Sequence, residues 1–351
     1  MRIGIVGLPN AGKSSLFNLL THATAKVDCY PFTTIDKNVG VVLVPDDRLE
    51  NIGRLLKPEK LTPAHIQFVD IAGLVKGASK GEGLGNRFLA HIRETDLILH
   101  IVRNFSSPDI PHVFEDVNPD RDVEVVEAEL AIADLGVVGK RLERLHKEPK
   151  TPENRILLAA LEKLEPGLQQ GLRCPEMTEE ERRSVRELGL FVTRPAIFGV
   201  NCSDSDPADP GRFPGLASRP HLLFSAALES GMQGFATGER AEMRTSLGLA
   251  PEGPDGIVTR CFDTLDLIRF YTVKGEESRA WAAPRGTTAV EAAAMIHTDI
   301  AEGFIKAEVL NYDDLAQAGS YAAARDQGKL KIEGKTYGVQ DGDVLLVRFR
   351  N

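Results

Sequence analysis

The chain has 351 residues, 42% of them hydrophobic and 26% charged, so there is apolar material for more than one buried core and no sign of global disorder. Its 51 acidic and 42 basic residues leave a net charge of -9, which excludes wholesale electrostatic capture by nucleic acid or an anionic membrane but not a local basic face. The four cysteines contain no CxxC pair, excluding a disulfide framework and a structural zinc site; apolar runs such as Leu97–Val102 are far too short for a membrane span, and no signal-peptide layout precedes the first strand. A cytoplasmic protein with no membrane partner and no DNA partner is expected.

Residues 2–6 (RIGIV) are a β-branched run ending at Gly7, and Lys13–Leu20 reads as the opening of a helix. Asn38–Val44 and His65–Val69 suggest a strand pair and Asp96–Val102 a third strand, each apolar enough to be buried on both faces of a sheet. Strands interleaved with helices mean an α/β fold. From Asp122 the period changes. Ala128, Ala131, Leu135, Val138, Leu142 and Leu145 are spaced three and four apart, and after Pro149 and Pro152 the seam resumes at Leu157, Leu161, Leu164 and Leu168. The pattern predicts an antiparallel helical hairpin whose first helix, about 26 residues, spans roughly 39 Å. It either fills out the core or projects as a docking arm.

Apolar alternation returns at Arg194–Val200 and His221–Phe224, which makes the hairpin, residues 120–191, an insertion into a domain built from 1–119 and 192–266. Residues 267–351 read as another unit: strands at Ile268–Val273 and Ser278–Ala282, then a helix opened by Thr288 with Glu291 in a capping box. Phe304–Leu310 and a final hairpin, Lys329–Ile332 and Tyr337 against Val344–Phe349 about Asp341-Gly342, complete a small mixed sheet crossed by one helix.

Gly7-Leu8-Pro9-Asn10-Ala11-Gly12-Lys13-Ser14 satisfies G-x-x-x-x-G-K-[ST] and lies between a strand and a helix, where that motif must lie. Its glycines let backbone N–H groups wrap a phosphate chain, Lys13 neutralises the β and γ phosphates, and the Ser14 hydroxyl binds Mg²⁺. Asn10, Ala11, Gly12, Lys13, Ser14 and Ser15 are therefore the expected phosphate-binding residues. Phe68-Val69-Asp70-Ile71-Ala72-Gly73 ends an apolar strand with D-x-x-G, which assigns Asp70 to Mg²⁺ and the Gly73 N–H to the γ phosphate. Thr33-Thr34 between the two motifs offers a switch threonine, with Thr34 as a third metal residue. Asn201-Cys202-Ser203-Asp204 after an apolar strand, followed by Ser225-Ala226-Ala227 after another, resembles N-K-x-D and S-A-x with the lysine replaced, and so assigns Asn201, Asp204, Ser225 and Ala226 to the base. A turn leading into a Pro-rich loop is the alternative for Asn201–Asp204.

With these motifs the chain resembles, over essentially its whole length, the YchF or Obg-like ATPase subfamily of translation-factor-related P-loop proteins. The carrying segments are Gly7–Ser15, Tyr30–Ile35, the run from Asp70 to Ser79 with Gly81–Asn86, Gly334–Tyr337 and Val339–Val344. The resemblance implies a P-loop G domain with an inserted α-helical hairpin, a C-terminal β-grasp domain of the TGS type, and nucleotide hydrolysis coupled to ribosome association through rRNA and ribosomal proteins. Leu74 sits where related GTPases carry a water-orienting glutamine, and a leucine cannot orient water. His112 matches a family position suspected of supplying that group; the alternative is an ordinary surface histidine. Asn10 matches an asparagine that coordinates a monovalent cation in related proteins, so K⁺ joins Mg²⁺ as an expected cofactor; a loop-stabilising role is the alternative.

The leading expectation is a Mg²⁺-dependent purine nucleoside triphosphatase acting as a ribosome-associated switch, with ATP bound at least as well as GTP and Lys13, Gly73 and His112 as catalytic residues. Asp204 speaks for guanine, whereas the family favours ATP. A strictly GTP-specific enzyme of the Obg-related class and a poorly hydrolysing, nucleotide-gated binding module are the rival readings. A general RNA-binding protein would need a basic, aromatic-bearing face. Residues 267–351 hold 11 Lys or Arg against 12 Asp or Glu, leaving only a basic edge of Lys329, Lys331, Lys335, Arg348 and Arg350 for rRNA.

Overall fold

The computed structural model describes residues 1–22, 38–71, 89, 91–205, 209–232, 234–274 and 276–350. The switch threonines Thr33 and Thr34, together with Gly73, Leu74 and the segment 76–86, lie outside the described residues. In chain order the elements are β1 (Arg2–Val6), α1 (Lys13–His22), β2 (Val39–Leu43), α2 (Asp47–Leu56), β3 (Lys60–Thr62), β4 (His65–Asp70) and β5 (Leu97–Asn104). The long helices α3 (Pro119–Leu145) and α4 (Pro152–Gln169) follow, then α5 (Glu179–Val185), β6 (Ala196–Cys202), β7 (His221–Phe224), α6 (Ala226–Gly231), α7 (Thr237–Ser246) and α8 (Pro254–Thr264). The rest comprises β8 (Leu267–Lys274), β9 (Glu277–Pro284), α9 (Ala289–Ile296), α10 (Thr298–Glu302), β10 (Phe304–Asn311), α11 (Tyr312–Ala318), α12 (Tyr321–Asp326), β11 (Lys331–Glu333) and β12 (Asp343–Phe349). Among the described residues no helix is long and apolar enough to cross a membrane.

Described residues fall into two units, one of 1–22, 38–40 and 67–257, the other of 41–66 and 258–350. In the first, β1 sits between β4 and β5, and β5, β6 and β7 continue the sheet in parallel. All eight residues of β5 are buried, as a central parallel strand covered on both faces requires. The strands therefore deliver their C-terminal ends, Val6, Asp70, Asn104, Cys202 and Phe224, to one edge, where open α/β sheets bind ligands. Gly7 begins the turn off β1 at φ 148°, and a Cβ there would stand 2.3 Å from the Ile101 carbonyl oxygen, so no side chain fits.

Helices α3 and α4 pack along Ala131, Val138, Leu142 and Leu145 against Ala160, Leu161, Leu164 and Leu168, the hairpin that the three-and-four spacing predicts. Ala128 is a correction to that seam. It is exposed, because the first turns of α3 face Val123, Val126 and Leu130 into the sheet's own core, and the inter-helix stripe begins only at Ala131. Asn118 caps α3 by accepting from the Arg121 N–H, with Pro119 at the first helical position.

In the second unit six strands run in the order β11-β10-β12-β8-β9-β3. The expected hairpin between the last two strands does not form: β11 pairs antiparallel with β10, and β12 lies between β10 and β8. The residues between β11 and β12 are engaged elsewhere. Gly338 bridges to Thr288, the Val339 N–H bonds to the Thr287 carbonyl, and the Asp343 carboxylate accepts from Tyr337 Oη and the Gln340 N–H, so the chain crosses before β12 instead of turning back on itself. The capping box at Thr288 and Glu291 is present. β3, three residues long, pairs parallel with β9, which attaches residues 41–66 to this unit.

Candidate nucleotide-binding site

The loop from Gly7 to Ser14 joins β1 to α1 at the sheet's ligand edge. Asn10 holds φ 62°, a left-handed conformation that asparagine tolerates better than most residues. Lys13 is 6% exposed, and its ammonium donates to the Leu8 carbonyl at 2.7 Å, inside the loop it belongs to. Burial lowers its pKa to about 8, against the opposing charge of Asp70. Ala11 is buried and Ser15 is exposed on the first turn of α1.

Ser14 Oγ donates to Asp70 Oδ2 at 2.8 Å, while Asp70 Oδ1 is buried and has no hydrogen-bond partner among the described residues. Strand pairing sets this contact, because Asp70 ends β4 in register with Ile5 of β1. A hydroxyl beside a carboxylate with one unsatisfied buried oxygen is a hard-oxygen donor set and fits Mg²⁺. Among the described residues no group of three His, Cys, Asp or Glu side chains could hold an ion without help. An ion here would draw its remaining oxygens from nucleotide phosphates and water, as Mg²⁺ sites commonly do.

Asn201 is buried at the end of β6 and works as a brace. Its Nδ2 donates to the Ala11 carbonyl at 3.1 Å and its Oδ1 accepts from the Ala226 N–H at 3.0 Å, linking phosphate loop, β6 and the start of α6. Ser225, fully buried, caps α6 by accepting from the Leu228 N–H. Cys202 points the other way, into an apolar cluster with Val200, Phe213 and Leu216, and burial raises its thiol pKa to about 11. Asp204 is exposed just beyond β6.

His112 is less free than a loop histidine need be. Its Nδ1 accepts from the Phe114 N–H at 3.0 Å, which leaves Nε2 as the protonated nitrogen, donating to Asp122 Oδ2 at 2.8 Å. The ring is 5% exposed. Two partners of this site escaped the sequence reading. Arg103, a cation next to the end of a strand made mostly of Leu, Ile and Val and 2% exposed, carried a visible signal, since such a charge needs built-in partners. Asp122, buried in the first turn of α3, carried none beyond its proximity to a helix start.

Phosphate loop, Ser14–Asp70 pair and asparagine brace at the C-terminal edge of a parallel sheet define a P-loop NTPase of the G-domain class. A model of the 50S ribosome-binding GTPase family matches residues 2–133, and the YchF-GTPase C-terminal model, described as a protein of unknown function, matches residues 267–350. The chain is 41% identical over 359 residues to the ribosome-binding ATPase YchF of Bacillus subtilis (strain 168), covering 99% of this chain and 98% of that one. It is 39% identical over 367 residues to the protein of the same name from Escherichia coli O157:H7, covering 99% of each. Among solved structures, the Schizosaccharomyces pombe YchF GTPase superposes with a TM-score of 0.85 at 33% identity, over 99% of this chain and 97% of that one. A GTP-binding protein from Pyrococcus horikoshii OT3, at TM-score 0.62 and 20% identity over the full length of both, shares the fold. The chain belongs to the YchF family.

Proposed function

We propose that the chain is a Mg²⁺-dependent purine nucleoside triphosphatase that takes ATP at least as well as GTP and acts as a ribosome-associated nucleotide switch in the cytoplasm. The observation that carries this reading is the convergence of Lys13, the Ser14–Asp70 pair and Asn201 on one loop. In it, Lys13 and the loop N–H groups bind the triphosphate, Ser14 and Asp70 hold Mg²⁺ together with Thr34, and the Gly73 N–H meets the γ phosphate. Bound Mg²⁺ neutralises charge developing on the β and γ oxygens. His112 is the group that acts near the attacking water, and Asn201, Asp204, Ser225 and Ala226 surround the base. Ribosome association follows from the relatives that are ribosome-binding ATPases, and both rRNA and ribosomal proteins are its partners in this reading.

In this reading residues 1–119 and 192–266 form the G domain, 120–191 the inserted hairpin and 267–351 a TGS-like β-grasp domain. The C-terminal basic edge is partly neutralised as an rRNA candidate, since Lys329 pairs with Asp314 at 3.0 Å and Arg348 with Glu308 at 2.9 Å. K⁺ is assigned to Asn10 as a stimulating cation; equal rates in K⁺ and Na⁺ at matched ionic strength would leave that residue its place in the phosphate loop and its contact with Pro111.

A second reading, a nucleotide-gated binding module that hardly hydrolyses, is favoured by one observation: both nitrogens of the His112 ring are already engaged. Multiple-turnover phosphate release from ATP and GTP, with and without ribosomes and with Mg²⁺ chelated, separates the two. Ribosome-stimulated, Mg²⁺-dependent release supports the first. Tight binding without turnover in either condition supports the second.

A further inference from the structure

One backbone oxygen joins the phosphate loop to the segment that carries His112. The Pro111 carbonyl accepts from Asn10 Nδ2 at 3.0 Å and from Arg103 Nη1 at 3.3 Å. Arg103 spends the rest of its fork on the same loop, donating to the Phe105 carbonyl at 3.0 Å and the Ile110 carbonyl at 2.8 Å, with its guanidinium 4.4 Å from the centre of the Phe105 ring. A planar guanidinium can hold three carbonyls at once in fixed directions, which a lysine ammonium on a flexible stem cannot. Neutral carbonyls do not balance its charge. The carboxylate that attracts it is Asp122, the same group that receives His112 Nε2.

Three loop carbonyls are thus fixed to the end of β5, one of them also to the phosphate loop, immediately before the residue assigned to the reaction. We infer that Arg103 and Asn10 are positioning residues for His112, acting through the shared Pro111 carbonyl to hold its segment in register with the bound triphosphate. The inference rests on the role given to His112 under the proposed function. Neither residue touches the reacting atoms in this capacity, and the lever is geometric: a displacement of about 1 Å in a catalytic group costs on the order of a hundredfold in rate.

The test is a double-mutant cycle on the full chain. Arg103→Lys and Asn10→Gly are measured alone and with His112→Ala; glycine accepts the positive φ at position 10, and that exposed site protects the test should Arg103→Lys fold poorly. Arg103→Lys is expected to lower kcat at least about tenfold with KM within about twofold, and to lower it no further once His112 is gone; Asn10→Gly, a residue of the phosphate loop itself, is compared with its own His112→Ala double variant in kcat alone, in Na⁺, where the same loss of effect is expected. Equal losses with and without His112 overturn the inference. Hydrogen exchange at the Phe114 amide, bonded to His112 Nδ1, reads the same geometry without turnover and is run in Na⁺ without nucleotide, so that no cation or phosphate role enters. Faster exchange in both variants is expected, and unchanged protection overturns the inference whatever the kinetics. Wild-type kcat in His112→Ala removes the catalytic role of that histidine instead, and the exchange result then decides the positioning alone.

Discussion

Gly12 and Asn201 approach so closely that a Cβ on Gly12 would stand 2.2 Å from Asn201 Nδ2, closer than side-chain carbons come to anything unbonded. Gly12 also holds φ 97°, so a side chain there is opposed by the backbone as well as by the neighbour. The close approach is what lets the asparagine reach the Ala11 carbonyl. Gly12→Ala is therefore expected to abolish triphosphate binding. Asn201→Ala leaves the Ala11 carbonyl and the Ala226 N–H without their partner and should cost about 1–3 kcal/mol of stability. The double variant should lose less stability than the two single losses summed, because the clash needs both side chains. Thermal unfolding with nucleotide titration checks this, and strictly additive losses would contradict the contact.

Lys13 predicts a pH dependence of affinity. Its pKa in the free protein is lowered to about 8 by burial, and phosphate charge at the loop must raise it again on binding. The sign follows: binding takes up a proton once the free lysine begins to lose its own, so affinity is flat well below pH 8 and falls by up to about tenfold per pH unit above it, until the bound-state pKa is reached. Lys13→Arg, charged at every accessible pH, should flatten the profile whatever its absolute affinity. Lys13→Ala should bind almost nothing. Dissociation constants measured across this range decide it, and a wild-type profile as flat as that of the arginine variant would show that Lys13 is not near the phosphates.

The Ser14–Asp70 pair predicts a metal-specific defect. Asp70→Asn keeps an oxygen for Ser14 but removes the charge beside the unsatisfied position, and should raise the Mg²⁺ concentration for half-maximal binding at least about tenfold, or 1.4 kcal/mol. Affinity measured in excess chelator should change by less than about twofold. Calorimetric titration with and without Mg²⁺ distinguishes this from general damage, which would weaken both.

What the sequence revealed of this protein depended on how local each signal was. The phosphate loop is eight consecutive residues between a β-branched run and a helix, and the hairpin seam is a repeating three-and-four spacing, so both could be read without knowledge of distant chain. The start of that seam could not. Ala128 fits the heptad, but the sheet claims the first turns of α3 and turns them inward along Val123 and Val126. The pairing of β11 was equally hidden, because Asp341-Gly342 looks like a hairpin turn while the Gly342 N–H in fact bonds to the Arg269 carbonyl on β8. The Pro111 junction of the candidate site lay furthest from reach, since it joins residues 101 positions apart through a main-chain oxygen, which no residue type reports.

The two ends of Asn201–Asp204 differ in burial, Asn201 being buried and Asp204 exposed, and that difference sets how the base is read. Guanine offers N1–H and N2–H₂ donors to a carboxylate, whereas adenine presents an acceptor at N1, a mismatch that leaves polar groups unpaired when buried. That penalty depends on burial, and Asp204 is exposed. Water can satisfy an exposed carboxylate beside adenine, so the residue discriminates weakly. Cys202 adds no contact over the base, because its thiol is turned into the cluster with Phe213 and Leu216. Asn201 is committed to Ala11 and Ala226, and it braces the loop in the same way whichever purine is bound. ATP is therefore expected to bind at least as well as GTP, with both accepted, and Asp204→Ala should change their ratio by less than about threefold, well under the 1.4 kcal/mol of a tenfold preference. Competition between the two nucleotides in wild type and variant measures it directly. A GTP preference above about tenfold that Asp204→Ala removes would reverse the assignment and make Asp204 the guanine-reading residue.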